Sequence, residues 1–176
     1  MLYEDRIETD RLTLRSIQMN DIEDIHSYAS DPNIDMMMFL PKETISDTKE
    51  FVEYAVAQWN MDMPEDREYV IIYNGAVIGG VNLERCPEEH NYEIGWTIHS
   101  KYRNCGYATE AANALVNYAF TTLKADRVQA HCDSRNIASE KVMKKIGMHL
   151  VDNTGTRYYP KTGITSGEYL YVIDEH

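Results

Sequence analysis

Asn74–Gly75 stands between two apolar runs, EYVIIY (68–73) and AVIGGVNLE (76–84). No other feature constrains the fold of this chain as tightly. A two-residue turn of type I′ needs positive φ at both central positions, and Asn-Gly supplies it at least cost, so the flanking runs must pair as antiparallel strands. Tyr92–His99 is a third strand in the same run, which makes a meander.

The remaining elements arrange themselves around that meander. Leu12–Ile17 alternates apolar and polar residues and is a first strand. Asn20 or Asp21 is placed to cap a short helix carrying Ile22, Ile25 and Tyr28, which ends before Asp31–Pro32. DPNIDMMMFLP (31–41) is an irregular apolar loop. Thr44 to Asp47 opens a helix over about 46–60, with Phe51, Tyr54, Ala55 and Trp59 at helical spacing. Ala108–Leu123 is an alanine-rich amphipathic helix, Arg127–Cys132 a strand, and Asn136–Ile146 a helix closed by Gly147 at C′. Met148–Asp152 and Glu168–Asp174 are strands, with GTRYYPKTGITSG (155–167) between them as a long turn. The order predicts one α/β domain over 1–176, α+β by a stricter definition, with helices against a mixed sheet. No repeat, low-complexity tract or Pro/Gly/Ser linker divides it.

Composition excludes several function classes. With 43% hydrophobic and 26% charged residues, the chain has the make-up of a globular protein. No window reaches the ~18 consecutive apolar residues of a membrane span. MLYEDRIETDR has acids where a signal peptide needs a basic start, so a cytoplasmic protein is expected. Cys86, Cys105 and Cys132 show no CxxC spacing and fit reduced thiols, and the six histidines are scattered, so no metal is expected. A net charge of -12 argues against a nucleic-acid partner. Nothing chooses between monomer and homodimer.

That charge is unevenly spread. Residues 1–100 hold 7 basic and 21 acidic side chains, whereas residues 101–149 hold 8 basic and 4 acidic ones. The basic part contains KYRNCGYATEA (101–111), a glycine-bearing turn between the strand Tyr92–His99 and the alanine-rich helix. Strand, glycine turn and helix aim unpaired backbone N–H groups at an anion, and the helix dipole favours negative charge there. Gly106 lets a ligand reach the backbone, Ala108 keeps the approach open and Arg103 adds positive charge. GxGxxG and GxxxxGK[ST] are both absent, so a dinucleotide fold and nucleotide hydrolysis lack their fingerprints. A lone RxxGxA is equally an ordinary loop. A second segment, DSRNIASEKVMKKIGM (133–148), adds Asn136 and Ser139 at the next helix start, although Asn136 is also a plain N-cap type.

Together these residues resemble the GNAT superfamily of N-acetyltransferases, whose acetyl-CoA loop has the pattern Q/R-x-x-G-x-G/A, here Arg103, Gly106 and Ala108. Glu8-Thr-Asp-Arg-Leu-Thr-Leu-Arg15, Tyr92-Glu-Ile-Gly-Trp-Thr-Ile98, Gly106-Tyr-Ala-Thr-Glu-Ala111 and Asn136-x-x-Ser139 are similar to its ribosomal-protein N-terminal (Rim-type) branch. The resemblance implies a mostly antiparallel sheet of about seven strands, splayed after the strand Tyr92–His99, with helices on both faces. It implies that the backbone around Ile98 and His99 meets pantetheine, and that Arg103, Asn104, Cys105, Gly106, Tyr107 and Ala108, with Thr109, hold the pyrophosphate. Asn136 would bind the cofactor arm, Ser139 would lie near the thioester sulfur, and Lys144 or Lys145 would reach the nucleotide phosphates.

Acetyl transfer to an amine asks for orientation, oxyanion stabilisation, a base and an acid. Glu93, on the strand face shared by Gly95, Thr97 and His99, is the candidate base, acting through water. Some members of the family carry a tyrosine acid where this chain has Met143. Ser139 or a tyrosine among Tyr158, Tyr159 and Tyr169 would then protonate the thiolate. No paired histidine supports an acyl-cysteine route through Cys105 or Cys132. The branch implies a protein or peptide α-amine as acceptor, with a small cationic amine (polyamine or aminoglycoside) behind it and a non-catalytic acyl-CoA-binding module as the other class. The acidic first 100 residues suit a cationic acceptor.

Overall fold

The structure, a computed structural model, describes residues 5–32 and 42–175, so most of the apolar loop 31–41 lies outside the described residues. In chain order the elements are β1 (Arg6–Glu8), β2 (Thr13–Ser16), α1 (Ile22–Ala29), α2 (Ile45–Trp59), β3 (Asp66–Tyr73), β4 (Ala76–Arg85), β5 (Asn91–Ile98), α3 (Tyr107–Thr121), β6 (Arg127–Asp133), α4 (Ile137–Lys145), β7 (His149–Tyr159) and β8 (Ile164–Asp174). Among the described residues the strands form one eight-stranded sheet in the order β1-β2-β3-β4-β5-β6-β8-β7. Every neighbouring pair is antiparallel except β5 and β6.

The β3–β4 hairpin forms as its turn dictates, with φ of 48° at Asn74 and 79° at Gly75 and Tyr73 opposite Ala76. Thr44 caps α2 with Asp47 reciprocating, the capping box that the sequence offers. Asp21 departs from its expected role. It precedes α1 without a side-chain cap bond, because its carboxylate is held by Arg15 at 2.8 Å and by the Gln18 N–H at 2.8 Å.

The C-terminal strands are longer than the turn-rich sequence suggests. β7 and β8 pair out to Tyr159 and Ile164, and the expected turn 155–167 contracts to its middle. Register shifts between Leu150 and Asp152 and between Asp152 and Gly155 absorb the polar residues, so the ladder resumes beyond them.

Helices cover both faces. Tyr28 of α1 approaches Gly80, which pairs with Val70, while Tyr118 of α3 packs edge-on against Tyr69, one residue away and so on the opposite face. Ala111, Ala112 and Ala119 of α3 are wholly buried, and their small side chains bring the helix close to the sheet. No helix among the described residues is long and apolar enough to cross a membrane.

One topological detail positions everything that follows. β5 and β6 pair only at Asn91–Arg127, Tyr92–Val128 and Glu93–Gln129. Beyond Glu93 the two strands part, and among the described residues the edge of β5 from Ile94 to Ile98 has no strand partner on that side. The far wall of this split is braced by Asp133, which accepts hydrogen bonds from Tyr159 (2.8 Å), Ser166 (2.8 Å) and Arg135 (2.8 Å). Burial would raise the Asp133 pKa, but the Arg135 side chain and backbone, Tyr159 and Ser166 outweigh it and hold the carboxyl far below its usual range.

Asp133→Asn should therefore cost about 2 kcal/mol, chiefly through the two buried hydroxyl bonds, since Arg135 is half exposed and its ion pair is screened. A depressed folded pKa gives stability that is full above the unfolded value of about 3.9 and is lost as pH falls toward the folded one. The urea midpoint difference between wild type and Asp133→Asn should accordingly be large at pH 7 and shrink below about pH 4. A constant difference would show that the Asp133 charge is not what matters.

Candidate active site

The turn from β5 into α3 is built to leave donors open. His99 accepts a hydrogen bond from the Lys101 N–H at 3.2 Å and so starts a single 3₁₀ turn, Ser100–Tyr102. Arg103 folds back, its Nε donating to the Ile98 carbonyl at 3.1 Å and its Nη2 lying 3.6 Å from Asp31. Asn104 and Gly106 then take φ of 63° and 82°, both left-handed, which turns the chain into a concave nest around Cys105. Gly106 is the N-cap of α3 and gives it no side-chain cap, so the N–H groups of Tyr107, Ala108 and Thr109 meet no protein acceptor among the described residues. These are the free donors and positive dipole end that an anion requires. The Tyr107 ring itself is buried, 4.8 Å from Tyr73, so only its backbone belongs to the cradle.

Arg11 completes this cradle, and sequence reasoning missed it. From the β1–β2 turn it donates to the Cys105 carbonyl at 3.1 Å and to Glu110 at 2.6 Å, and its guanidinium lies 4.7 Å over the Tyr107 ring. A Cβ on Gly106 would come within 3.4 Å of Arg11 Nη2.

Across the split, α4 begins at Asn136, whose Oδ1 accepts the Ser139 N–H at 3.1 Å, the N-cap role open to it from sequence. The Ser139 hydroxyl has no protein partner among the described residues and lines the cavity described next. Met143 is buried in the core, away from any role as an acid. Lys144 lies 2.7 Å from Glu140 and is half exposed, so its charge is already compensated on the surface of α4.

The split opens onto a cavity of about 370 Å³ whose lining includes Ile25, Tyr28 and Phe51 from the helices, Glu68, Glu84 and Glu93 from the sheet, and His131, Cys132, Asn136 and Ser139 beyond the split. Gly95, on the same strand face as Glu93, keeps it open: a Cβ there would meet Asn82 Oδ1 at 2.7 Å. The carboxylates differ in character. Burial pushes Glu68 well above the usual range, with the Asp66 charge adding to the effect. Burial, then Asp66 and Glu93, raise Glu84. Glu93 is also raised by burial, but hydrogen bonds from His131 (2.8 Å) and Gln129 (3.1 Å), and the charges of His131 and Arg157, bring it below its usual value. Glu93 is thus the carboxylate of this group whose charged form its surroundings favour.

The other candidates are less suited to chemistry. Burial pushes the Cys132 thiol up to about 11, which leaves it protonated. Burial and Asp133 push Tyr159 up to about 12, and its hydroxyl is committed to Asp133. No group of three or more metal-ligating side chains exists among the described residues.

Residues 11–149 match the acetyltransferase (GNAT) domain. The chain belongs to the GNAT acetyltransferase family. It is 34% identical over 169 residues to the uncharacterised N-acetyltransferase YnaD of Bacillus subtilis (strain 168), covering 96% of each chain. Its fold is also that of RimL, a ribosomal L7/L12 alpha-N-protein acetyltransferase solved with coenzyme A, at a TM-score of 0.87, 15% identity and 97% and 98% coverage. The spermidine N-acetyltransferase of Vibrio cholerae, solved with CoA and spermine, is similar at a TM-score of 0.80, 20% identity and 94% and 96% coverage. This GNAT chain is therefore an acetyl-CoA-dependent N-acetyltransferase. The residues present fit that cosubstrate: open N–H groups at α3 for a pyrophosphate, and an unpartnered β5 edge leading from them to the cavity.

Proposed function

We propose that this GNAT enzyme acetylates a primary amine that enters the cavity as a cation, first among acceptors the α-amine of a protein or peptide. The observation that carries this reading is the position of Glu93, ionised at the point where β5 and β6 part and facing the cavity. Arg103 to Thr109 and Arg11 hold the pyrophosphate, and the β5 edge up to Ile98 and His99 orients the pantetheine arm. Glu93 drives loss of the ammonium proton, and Ser139, at the start of α4 with its hydroxyl unpartnered among the described residues, would protonate the departing thiolate. Orientation of amine and thioester supplies much of the rate, since the donor is already activated.

A small polyamine is the second reading, favoured by the carboxyls of Glu68 and Glu84 deeper in the cavity. Burial disfavours their charged forms, and a second cationic nitrogen beside them would favour those forms.

Thiol release from acetyl-CoA separates these readings when measured with a free tripeptide, its N-blocked form and spermine. Turnover of the free peptide alone supports the α-amine, and faster turnover of spermine moves the assignment to polyamines. Tight CoA binding with no turnover on any amine would replace the enzyme with a binding module.

A further inference from the structure

Resting on that reading, we propose that the proton is received by His131, through Nε2, and that Glu93 acts as its fixed partner rather than as a lone carboxylate. His131 was one of six scattered histidines in the sequence, yet in the fold it lies on the cavity face beside Glu93. Glu93 pairs with Gln129, and His131 is two residues further along β6, so it stands on the same face just past the parting of the strands. Its Nδ1 is 2.8 Å from Glu93 Oε1, while Gln129 Nε2 donates to Glu93 Oε2 at 3.1 Å. With both carboxylate oxygens engaged and acceptor-only, the imidazole hydrogen is drawn to Nδ1. Nε2 is left as the acceptor. It has no protein partner among the described residues and is not buried away from water, so it keeps access to solvent in the cavity that His131 lines. This is the base-and-orienter arrangement in which the carboxylate holds the tautomer and stabilises the imidazolium that forms.

The step balances without further reagents. The ammonium gives one proton to His131 Nε2, and the freed nitrogen forms its bond to the thioester carbonyl carbon. The C–S bond breaks, the thiolate takes a proton from Ser139 or water, and the second proton leaving the nitrogen restores that donor. Amide and thiol are formed and one proton passes from His131 to solvent.

Four charged groups act on His131 from the elements around it: Glu93 on β5, Glu168 on β8, and Arg157 and Asp152 on β7. The hydrogen bond to Glu93 raises its pKa, burial opposes, the charges of Glu93 and Glu168 raise it further and Arg157 lowers it, for a net rise. Since the base must be neutral, kcat/KM should fall as pH drops through a value above about 6.5. A lone Glu93 base, held below its usual value, would instead give a flat profile from pH 5 to 8.

The test is a pH profile of kcat/KM with the tripeptide and with spermine, combined with nitrogen-15 NMR of labelled histidine in the free enzyme. We expect the neutral His131 to carry its proton on Nδ1, to titrate above 6.5, and to titrate lower in Glu93→Gln. His131→Gln should lose the limb near neutrality and at least about tenfold in kcat/KM, with the KM for acetyl-CoA unchanged. A proton on Nε2, a flat wild-type profile, or His131→Gln within about twofold of wild type would overturn the proposal. The NMR reading is made on the folded wild type without an acceptor. Absence of turnover on both amines would therefore sink the amine-transfer reading, while the tautomer still decides the pairing.

Discussion

Glu93→Gln is expected to lower kcat/KM about hundredfold on any accepted amine, with the KM for acetyl-CoA unchanged. The substitution is close to isosteric, and Gln129 can turn its amide to match the new partner, so the local packing survives. What is lost is the negative charge that raises the His131 pKa and that the hydrogen bonds from His131 and Gln129 favour. A change in charge alone, at a site that touches the acceptor side of the split, should appear in kcat and not in cofactor binding. Thermal unfolding within a degree or two of wild type would establish that the mutant is folded. A loss confined to the acetyl-CoA KM would move Glu93 out of the proton path and into the cofactor site. Unchanged kcat would leave the chemistry to orientation alone.

The features legible in the sequence are those whose causes are local. Asn74–Gly75 sets its own φ values and hence its own hairpin. Thr44 and Asp47 cap α2 within four residues. The cradle could be read because a glycine turn between a strand and a helix needs no distant partner to expose its N–H groups. The strand face that Glu93 shares with Gly95 could be read because strand alternation is also local. The missing parts are those that depend on register between distant segments. His131 meets Glu93 across 38 residues, through three pairs of a parallel ladder. Arg11 meets Cys105 across 94 residues. A signal for His131 did exist, since Gln129, His131 and Asp133 alternate with Val128, Ala130 and Cys132 and mark a polar face. It needed the β5–β6 register to become a site. The long β7–β8 ladder was hidden for the opposite reason: Asn153 and Gly155 punctuate the sequence as a turn would, and only pairing with β8 absorbs that stretch as an irregularity in the ladder, leaving Gly163 to the short turn that remains.

Gly106→Val tests the cradle and should raise the KM for acetyl-CoA about hundredfold, equivalent to about 2.7 kcal/mol of lost binding. Two effects combine. At φ of 82° a β-branched residue is strained by about 1–3 kcal/mol, so the turn relaxes away from the left-handed conformation that points its N–H groups inward. The new side chain also starts 3.4 Å from Arg11 Nη2 and branches further toward it. Arg11 ties the Cys105 carbonyl to Glu110, so displacing it loosens both sides of the nest. On the proposed reading the acceptor amine binds beyond Glu93, on the other side of the split, so its KM should stay within about twofold. Gly106→Ala, with the same strain at φ but no branch, should fall between wild type and valine. A folded valine mutant with normal acetyl-CoA KM and impaired acceptor KM would place the cofactor's phosphates elsewhere, and the open N–H groups of α3 would then need another anion to explain them.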